Sequence, residues 1–250
     1  MAVLSLISIN VEKDCHNDAV EQFLREHSPD VACFQEVRPE DVERFARVLG
    51  AETPLYVSAT RELTQGRFVT WGNAIISKTP LIETRVQHFM GDPDTVRDSD
   101  QDDEKTFNYT NRMLLSARVE KEGVDFHVST THFTWSAKGQ ASDEQRQSMK
   151  KLLDILSNEK EFVLCGDFNA PRGGEIFDML ASRYKDNIPP EYKTSIYAPL
   201  HRAGKTHEKE LGDKMVDGLF STPGYRAFDV QLTSGISDHY AISAKIEKLA

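Results

Sequence analysis

The feature that most constrains the fold is a series of eight short apolar runs spread along the 250 residues. Each run holds four to eight residues, a length typical of buried β-strands. The predicted strands are Val3–Ile9, Val31–Phe34, Ala74–Ser77, Met113–Val119, Val124–Thr131, Phe162–Cys165, Met215–Ser221 and Tyr240–Ile246.

Helical patterns alternate with the early runs. Asn17 is expected to cap one helix, and Pro39 suits the first turn of a second. The clearest helix covers Ser142–Ser157, where Ser142 and Gln145 fit a capping box. The later runs are separated by short loops more than by helices, which favours mixed over purely parallel sheets. Strands with helices outside them predict a layered α/β sandwich.

No internal repeat or linker interrupts the sequence, so we expect residues 1–250 to form a single domain. No stretch approaches the roughly 20 apolar residues that span a bilayer. The apolar start has no basic flank, so we expect no signal peptide and a cytoplasmic protein. Cys33 and Cys165 lie in apolar runs and are expected to be buried and reduced.

The formal net charge of −10 argues against a protein that grips duplex nucleic acid along its length, because such proteins present a basic surface. It leaves phosphate chemistry open, since a bound metal ion reverses the local sign of charge. Residues 90–105 are strongly acidic, and Asp98, Asp100 and Asp102 imitate the start of a calcium loop. The glycine and the final glutamate of such a loop are missing, so we interpret the segment as a solvated loop.

Polar residues at the ends of the predicted strands are the main indication of function. Strand ends are where a rigid scaffold presents reactive groups. Taken singly, each residue has an ordinary structural explanation: a turn cap, a surface carboxylate, or a histidine whose hydrogen bonds are made within the fold. Together they form a set suited to metal or phosphate: Asn10, Glu36, His132, Asp167, Asn169, Asp217, Asp238 and His239.

The set resembles the endonuclease/exonuclease/phosphatase superfamily, which includes deoxyribonuclease I and tyrosyl-DNA phosphodiesterase 2. Gly-Asp-Phe-Asn (166–169) and Ser-Asp-His (237–239) are the strongest matches, and the pieces follow the family order over nearly the whole chain. The remaining pieces are Ser8–Asn10, Gln35–Glu36, Gly72–Ser77, Thr131–His132 and Val216–Asp217. The resemblance implies a four-layered α/β sandwich with two central mixed β-sheets flanked by helices.

The resemblance to this superfamily also implies roles for the strand-end residues. A phosphodiester is anionic, so its hydrolysis needs charge neutralisation and a positioned water. By resemblance, Glu36, Asn10 and Asp238 hold magnesium or manganese, and Asp167 activates the water. Asn169 and His132 contact the phosphate or leaving group. His239, oriented by Asp217, stabilises the developing charge.

Three further residues are candidate substrate contacts. Arg112 is suited to bidentate phosphate binding, although a solvated strand-end arginine is an equal alternative. Asn73 belongs to the Gly72–Ser77 piece. Trp135 could stack on a base, although aromatic residues near strand ends are more often core or rim.

The first hypothesis for function is a magnesium-dependent phosphodiesterase acting on nucleic-acid ends or single strands, similar to tyrosyl-DNA phosphodiesterase 2. An alternative is a phosphatase or phosphodiesterase of small phosphorylated metabolites or lipid head groups. A third is a catalytically silent binding module. No tryptophan precedes Gly-Asp-Phe-Asn, which disfavours an inositol phosphatase. We expect a monomer.

Overall fold

The apolar runs of the sequence form β-strands in the computed structural model, which describes residues 2–202, 204, 211 and 213–249. This part of the chain contains thirteen strands and four α-helices. The strands are β1 (Val3–Asn10), β2 (Val31–Val37), β3 (Leu55–Thr64), β4 (Arg67–Ser77), β5 (Leu81–Met90), β6 (Asp98–Asp100), β7 (Arg112–Lys121), β8 (Val124–His132), β9 (Val163–Asp167), β10 (Lys185–Asp186), β11 (Asp217–Ser221), β12 (Tyr225–Thr233) and β13 (Ala241–Lys248). The α-helices are α1 (Asn17–His27), α2 (Pro39–Leu49), α3 (Asp143–Ser157) and α4 (Glu175–Ala181).

The strands form two mixed sheets. The first has the order β12-β13-β1-β2-β4-β3-β6, and the second has the order β10-β11-β9-β8-β7-β5. The pairs β1–β2, β3–β6 and β8–β9 are parallel, and the other pairs of neighbouring strands are antiparallel. The predicted mixture of parallel and antiparallel pairing is therefore confirmed.

The sheets pack face to face, with one pair of helices outside each. Side chains from both sheets, such as Leu6 and Leu115, share a central core. Helices α1 and α2 bury Phe23 and Phe45 against the first sheet, while α3 buries Met149 against the second. This arrangement confirms the four-layered sandwich. Among the described helices, none has the length and apolar character needed to cross a membrane.

Two details of the helix ends differ from the prediction. Asn17 is the first residue of α1 rather than its cap, and its Nδ2 donates to Oδ1 of Asp41. Ser142 caps α3 by accepting from the backbone N–H of Gln145, as expected. The Gln145 amide does not close the capping box, because it is buried and donates to the carbonyls of Thr134 and Asn169.

The acidic segment is more ordered than a solvated loop. Strand β6 lies parallel to β3, where Arg61 makes two hydrogen bonds to Asp98 at 2.7 and 2.8 Å. A 3-10 helix follows at Glu104–Tyr109, capped by the Asp103 side chain. Most of residues 91–105 are exposed, as expected for a solvated loop, but the short strand β6 was not predicted because its pairing partner is distant in sequence. Cys33 and Cys165 are buried and free, as predicted.

Candidate active site

The predicted site residues come together because the strands that carry them end at the same edge of the sandwich. In the second sheet, His132 lies opposite Asp167 on the parallel pair β8–β9, and Asp217 lies opposite Asp167 on the antiparallel strand β11. In the first sheet, Asn10 ends β1 beside β2, which carries Glu36. The site is therefore built from both sheets.

Gly166, directly before Asp167, is required by the close approach of β8 and β9. Its φ of +142° is unfavourable for other residues, and a Cβ atom there would lie 2.0 Å from the carbonyl oxygen of Thr131. This explains locally why the Gly-Asp-Phe-Asn sequence begins with glycine.

The Asp167 carboxylate lies at the centre of the cluster and is 1% exposed. Its Oδ2 accepts from Nδ2 of Asn10 at 3.2 Å and lies 3.4 Å from Nε2 of His132 and 3.9 Å from Nε2 of His239. Its Oδ1 accepts from the backbone N–H of Asn169 at 2.8 Å. Burial raises the pKa of Asp167 to about 6, although the charge of His239 opposes the rise. Such a group is suited to proton transfer near neutral pH.

The two histidines carry different charges. Burial lowers the pKa of His132 well below its usual value, and the positive charges of Arg112 and His239 lower it further. Burial also opposes protonation of His239, but the charges of Asp217 and Asp167 outweigh it and raise the pKa of His239 well above its usual value. His132 is therefore neutral at pH 7 and His239 is positively charged.

Asp217 orients the His239 ring through a hydrogen bond to Nδ1. Nδ1 of His239 lies 2.7 Å from Oδ2 of Asp217, and both residues are buried. The backbone N–H of Asp217 donates to Oγ of Ser195 at 3.0 Å, which fixes the start of β11. The predicted Asp–His pair is present in the structure.

A second group of carboxylates lies beside this pair. Glu36 and Asp238 line the same pocket, together with Glu12. Burial raises the pKa of Asp238 to about 7, and the negative charges of Glu12 and Glu36 contribute to the rise. Carboxylate oxygens are the ligands that Mg²⁺ prefers. The ligand atoms of Glu12, His16 and Asp238 lie within 4.8 Å of one another and could hold a divalent cation, whereas Glu36 is not part of this group.

Asn10 and Lys13 surround the Glu36 carboxylate. Nδ2 of Asn10 lies 3.4 Å from Oε1 of Glu36, while Oδ1 of Asn10 accepts from the backbone N–H of Glu12. In this structure Asn10 therefore orients the carboxylates of Glu36 and Asp167. Nζ of Lys13 lies 2.6 Å from Glu62 and 3.9 Å from Glu36, and it supplies one positive charge to the group.

The site residues open into a pocket of about 300 Å³. Arg112 is 3% exposed, and its guanidinium donates to the His132 carbonyl at 3.4 Å. Trp71 stacks on His132, with ring centroids 5.6 Å apart. Among the described residues, Nε of Arg112 and Nε1 of Trp71 have no hydrogen-bond partner although they are buried. Unpaired buried donors are costly, so they point to a ligand that accepts hydrogen bonds.

One predicted residue lies elsewhere, and several pocket residues were missed. Asn73 is buried, with Nδ2 3.5 Å from Sδ of Met113, and does not line the pocket. Trp135 and Asn169 do line it. The acidic and basic pocket residues that the sequence did not indicate are Glu12, Lys13, Asp14, Glu62, His201 and Arg202. Of these residues, only Glu12 and Lys13 could have been predicted from the sequence, because they closely follow Asn10 at a strand end.

The sequence profile of the endonuclease/exonuclease/phosphatase family matches residues 7–239. The chain belongs to this family. Its members are hydrolases that act on phosphoesters, so the sandwich described above is a phosphoesterase fold. A comparison with curated protein sequences finds no match.

Solved structures of family members share the fold over the whole chain. A family member from Bacteroides vulgatus is 17% identical, with a TM-score of 0.71 and complete coverage of both chains. D. rerio TDP2 in complex with a single-strand DNA product is 17% identical, with a TM-score of 0.69 over 99% of this chain and 100% of that chain. A mannosyl-6-phosphatase from Bacteroides thetaiotaomicron is 14% identical, with a TM-score of 0.65 over 99% and 100% of the two chains.

Proposed function

We propose that this family member is a magnesium- or manganese-dependent phosphodiesterase that hydrolyses phosphoester bonds in DNA or RNA, at ends or in single strands. One observation carries the proposal: Asp167, with a pKa of about 6, lies within 4 Å of a neutral His132 and a charged His239. The likeness to a TDP2 bound to single-strand DNA supports a nucleic-acid substrate.

Glu36, Asp238 and Asn10 would hold the cation, and the bound ion would neutralise phosphate charge. Asp167 would accept the proton of the attacking water, since its buried carboxylate has a pKa close to neutrality. The Asn169 amide donates one N–H to the Phe133 carbonyl at 2.9 Å, so its second N–H is left for a phosphate oxygen.

The charged His239 would stabilise the negative charge that develops on the phosphate as the water attacks. Asp217 keeps the proton on Nδ1 and directs Nε2 towards the site. Neutral His132 and the buried Arg112 would donate to the phosphate or the leaving group, and Trp135 would contact the attached base. Their position around one pocket supports these roles.

An assay with end-labelled single-stranded DNA, in magnesium or in EDTA, tests the proposal. We expect cleavage that requires magnesium and is lost in Asp167→Asn and in His239→Ala. Magnesium-dependent cleavage that copurifies with the protein and persists undiminished in both variants would contradict the proposed site.

A phosphatase of small phosphorylated metabolites is the second candidate. The small pocket volume favours it, as does the likeness to a mannosyl-6-phosphatase. Release of inorganic phosphate from sugar phosphates, without DNA cleavage, would identify this function. The buried and complete Asp217–His239 pair speaks against a catalytically silent binding module.

A further inference from the structure

A histidine and two carboxylates from distant parts of the chain meet beside the pocket. Nε2 of His16 lies 2.9 Å from Oε2 of Glu12, and the ligand atoms of both lie within 4.8 Å of the Asp238 carboxylate. Glu12 and Asp238 line the pocket, and His16 reaches them from the residue on which α1 begins. The three groups are close enough to bind one ion together.

The backbone holds these side chains in place. Glu12 lies in the turn between β1 and α1 with a φ of +48°, in the left-handed region that non-glycine residues rarely adopt. Its N–H donates to Oδ1 of Asn10 at 3.1 Å. The Asp238 carbonyl accepts from the backbone N–H of Tyr197 at 2.7 Å. The ligand groups are therefore supported by the fold itself, as a selective metal site requires.

The Asp238 carboxylate has few hydrogen-bond donors for a buried group. It is 6% exposed, and among the described residues its only donor is Oγ of Ser237, 3.1 Å from Oδ1. An ionised carboxylate can accept about four hydrogen bonds, and burying one without partners is costly. The charge of His239 compensates part of this cost, but Glu12 and Glu36 add negative charge. Asp238 therefore has an oxygen left for a cation.

The imidazole of His16 determines which cation this group prefers. Mg²⁺ takes oxygen ligands and keeps several waters. An imidazole nitrogen suits transition-metal ions better. The position proposed above for magnesium, at Glu36, Asn10 and Asp238, offers side-chain oxygens only. The two positions share Asp238 and differ in ligand chemistry.

We infer that Glu12, His16 and Asp238 form a second, transition-metal site, in which Nε2 of His16 makes the ligand set selective for manganese over magnesium. When the ion binds, Nε2 releases any proton it carries to solvent, and bonds to the metal replace its hydrogen bond to Glu12. The inference goes beyond the proposed function, because the ion preference holds whichever phosphoester is hydrolysed.

Manganese binding to the metal-free protein tests the site without an activity assay. The electron paramagnetic resonance signal of free Mn²⁺ counts the ions that bind. We expect two bound ions in the wild type, of which a large excess of magnesium displaces one. His16→Gln should bind the second ion at least about tenfold more weakly and lose all its manganese to magnesium. The control His27→Gln changes an exposed histidine of α1 and should match the wild type.

Equal manganese affinity and equal displacement by magnesium in the wild type and His16→Gln would overturn the inference. A pulsed measurement checks the wild type by itself, because an imidazole bound to Mn²⁺ gives a nitrogen coupling. With magnesium in excess, absence of this coupling would also overturn the inference, and its loss in His16→Gln would assign it. Manganese is the probe because softer ions would also bind Cys15, which is exposed and lines the same pocket.

Failure of the proposed function gives a different result. If the wild type holds manganese through His16 but cuts no DNA, the metal site stands and the nucleic-acid substrate is wrong. If DNA is cut in magnesium while His16→Gln binds manganese as the wild type does, the proposed function stands and the second metal site is excluded.

Discussion

Nδ1 of His239 and Oδ2 of Asp217 are 2.7 Å apart, in a buried pair that leaves Nε2 of the histidine 3.9 Å from Asp167. The carboxylate thus determines both the proton position and the orientation of the ring. The consequences of removing its charge follow directly.

Asp217→Asn is expected to lower kcat by two to four orders of magnitude while KM changes little. The amide can favour the wrong tautomer, and it no longer stabilises the histidinium. Steady-state kinetics on a short labelled oligonucleotide measures the effect. Asp154→Asn, an exposed position on α3, is the control and should match the wild type. Equal kcat values for the two variants would contradict the role of the pair.

Magnesium is expected to raise the free energy of unfolding of the wild type, because a ligand that binds the folded state stabilises it. The gain is about 2.7 kcal/mol when the ion concentration is 100 times its Kd. Glu36→Gln should lose this gain, whereas the exposed Glu120→Gln should keep it. Urea unfolding with and without magnesium measures both. An undiminished gain in Glu36→Gln would remove this residue from the cation site.

Arg112→Met is expected to make the protein more stable but less active. The guanidinium is 3% exposed with one unpaired nitrogen, and burial lowers the pKa of Arg112 to about 10. Replacing this charge should raise the free energy of unfolding by about 1–3 kcal/mol. Loss of the cation should raise KM at least about tenfold, since each 1.4 kcal/mol of lost binding is tenfold.

Arg112→Lys provides the comparison for that variant, because it keeps the charge and loses the planar fork. We expect partial recovery of KM without the gain in stability. Thermal unfolding and kinetics on the same preparations separate the two effects. A Met variant that is both less stable and fully active would show that Arg112 has a structural role only.

Asp30 links the two sheets at the end of the sandwich opposite the site. Its Oδ2 accepts from the backbone N–H of Ser5 at 2.7 Å in the first sheet and from Nζ of Lys121 at 2.6 Å in the second. Burial alone would raise the pKa of Asp30, but these bonds outweigh it and lower the pKa below 3.8. The native state therefore favours the ionised form.

Asp30→Asn is thus expected to lower the free energy of unfolding by about 1–3 kcal/mol at pH 7. Because the pKa of Asp30 is lower in the folded state than in the unfolded state, its charge stabilises the fold above pH 3.8. This stabilisation disappears as the pH falls through the pKa of Asp30 in the folded state. Urea unfolding of wild type and variant between pH 3 and 7 should give curves that converge on the acid side. A difference in the free energy of unfolding that stays constant from pH 3 to 7 would exclude ionisation of Asp30 as the cause of the stabilisation.

The sequence allowed the central strands and the chemical groups at their ends to be predicted, because both depend on local patterns. Asp167 and His132 follow apolar runs, and the ends of neighbouring strands meet at one edge of a sheet. Strands β3 and β5 were missed because charged residues such as Arg61 and Glu83 break their apolar pattern at exposed positions.

Other features depend on contacts that no local pattern records. His201 lines the pocket, but the residues next to it in the sequence form no recognisable motif. Gln145 has the right position for a capping box, yet tertiary carbonyls compete for its amide. Asn73 lies in a matching segment, but its strand turns this side chain towards Met113 in the core.

The division between strand ends and loops has a consequence for how new specificities arise. Asp167 and His239 are anchored by the buried strands of the sandwich, whereas Gln101, Phe107 and Arg202 belong to the segments around it. Laboratory selection that randomises positions 101–107 can therefore alter which phosphoester is accepted without disturbing the proposed catalytic residues. Descendants with different substrates would keep one reaction and differ in the loops that admit the molecule to it.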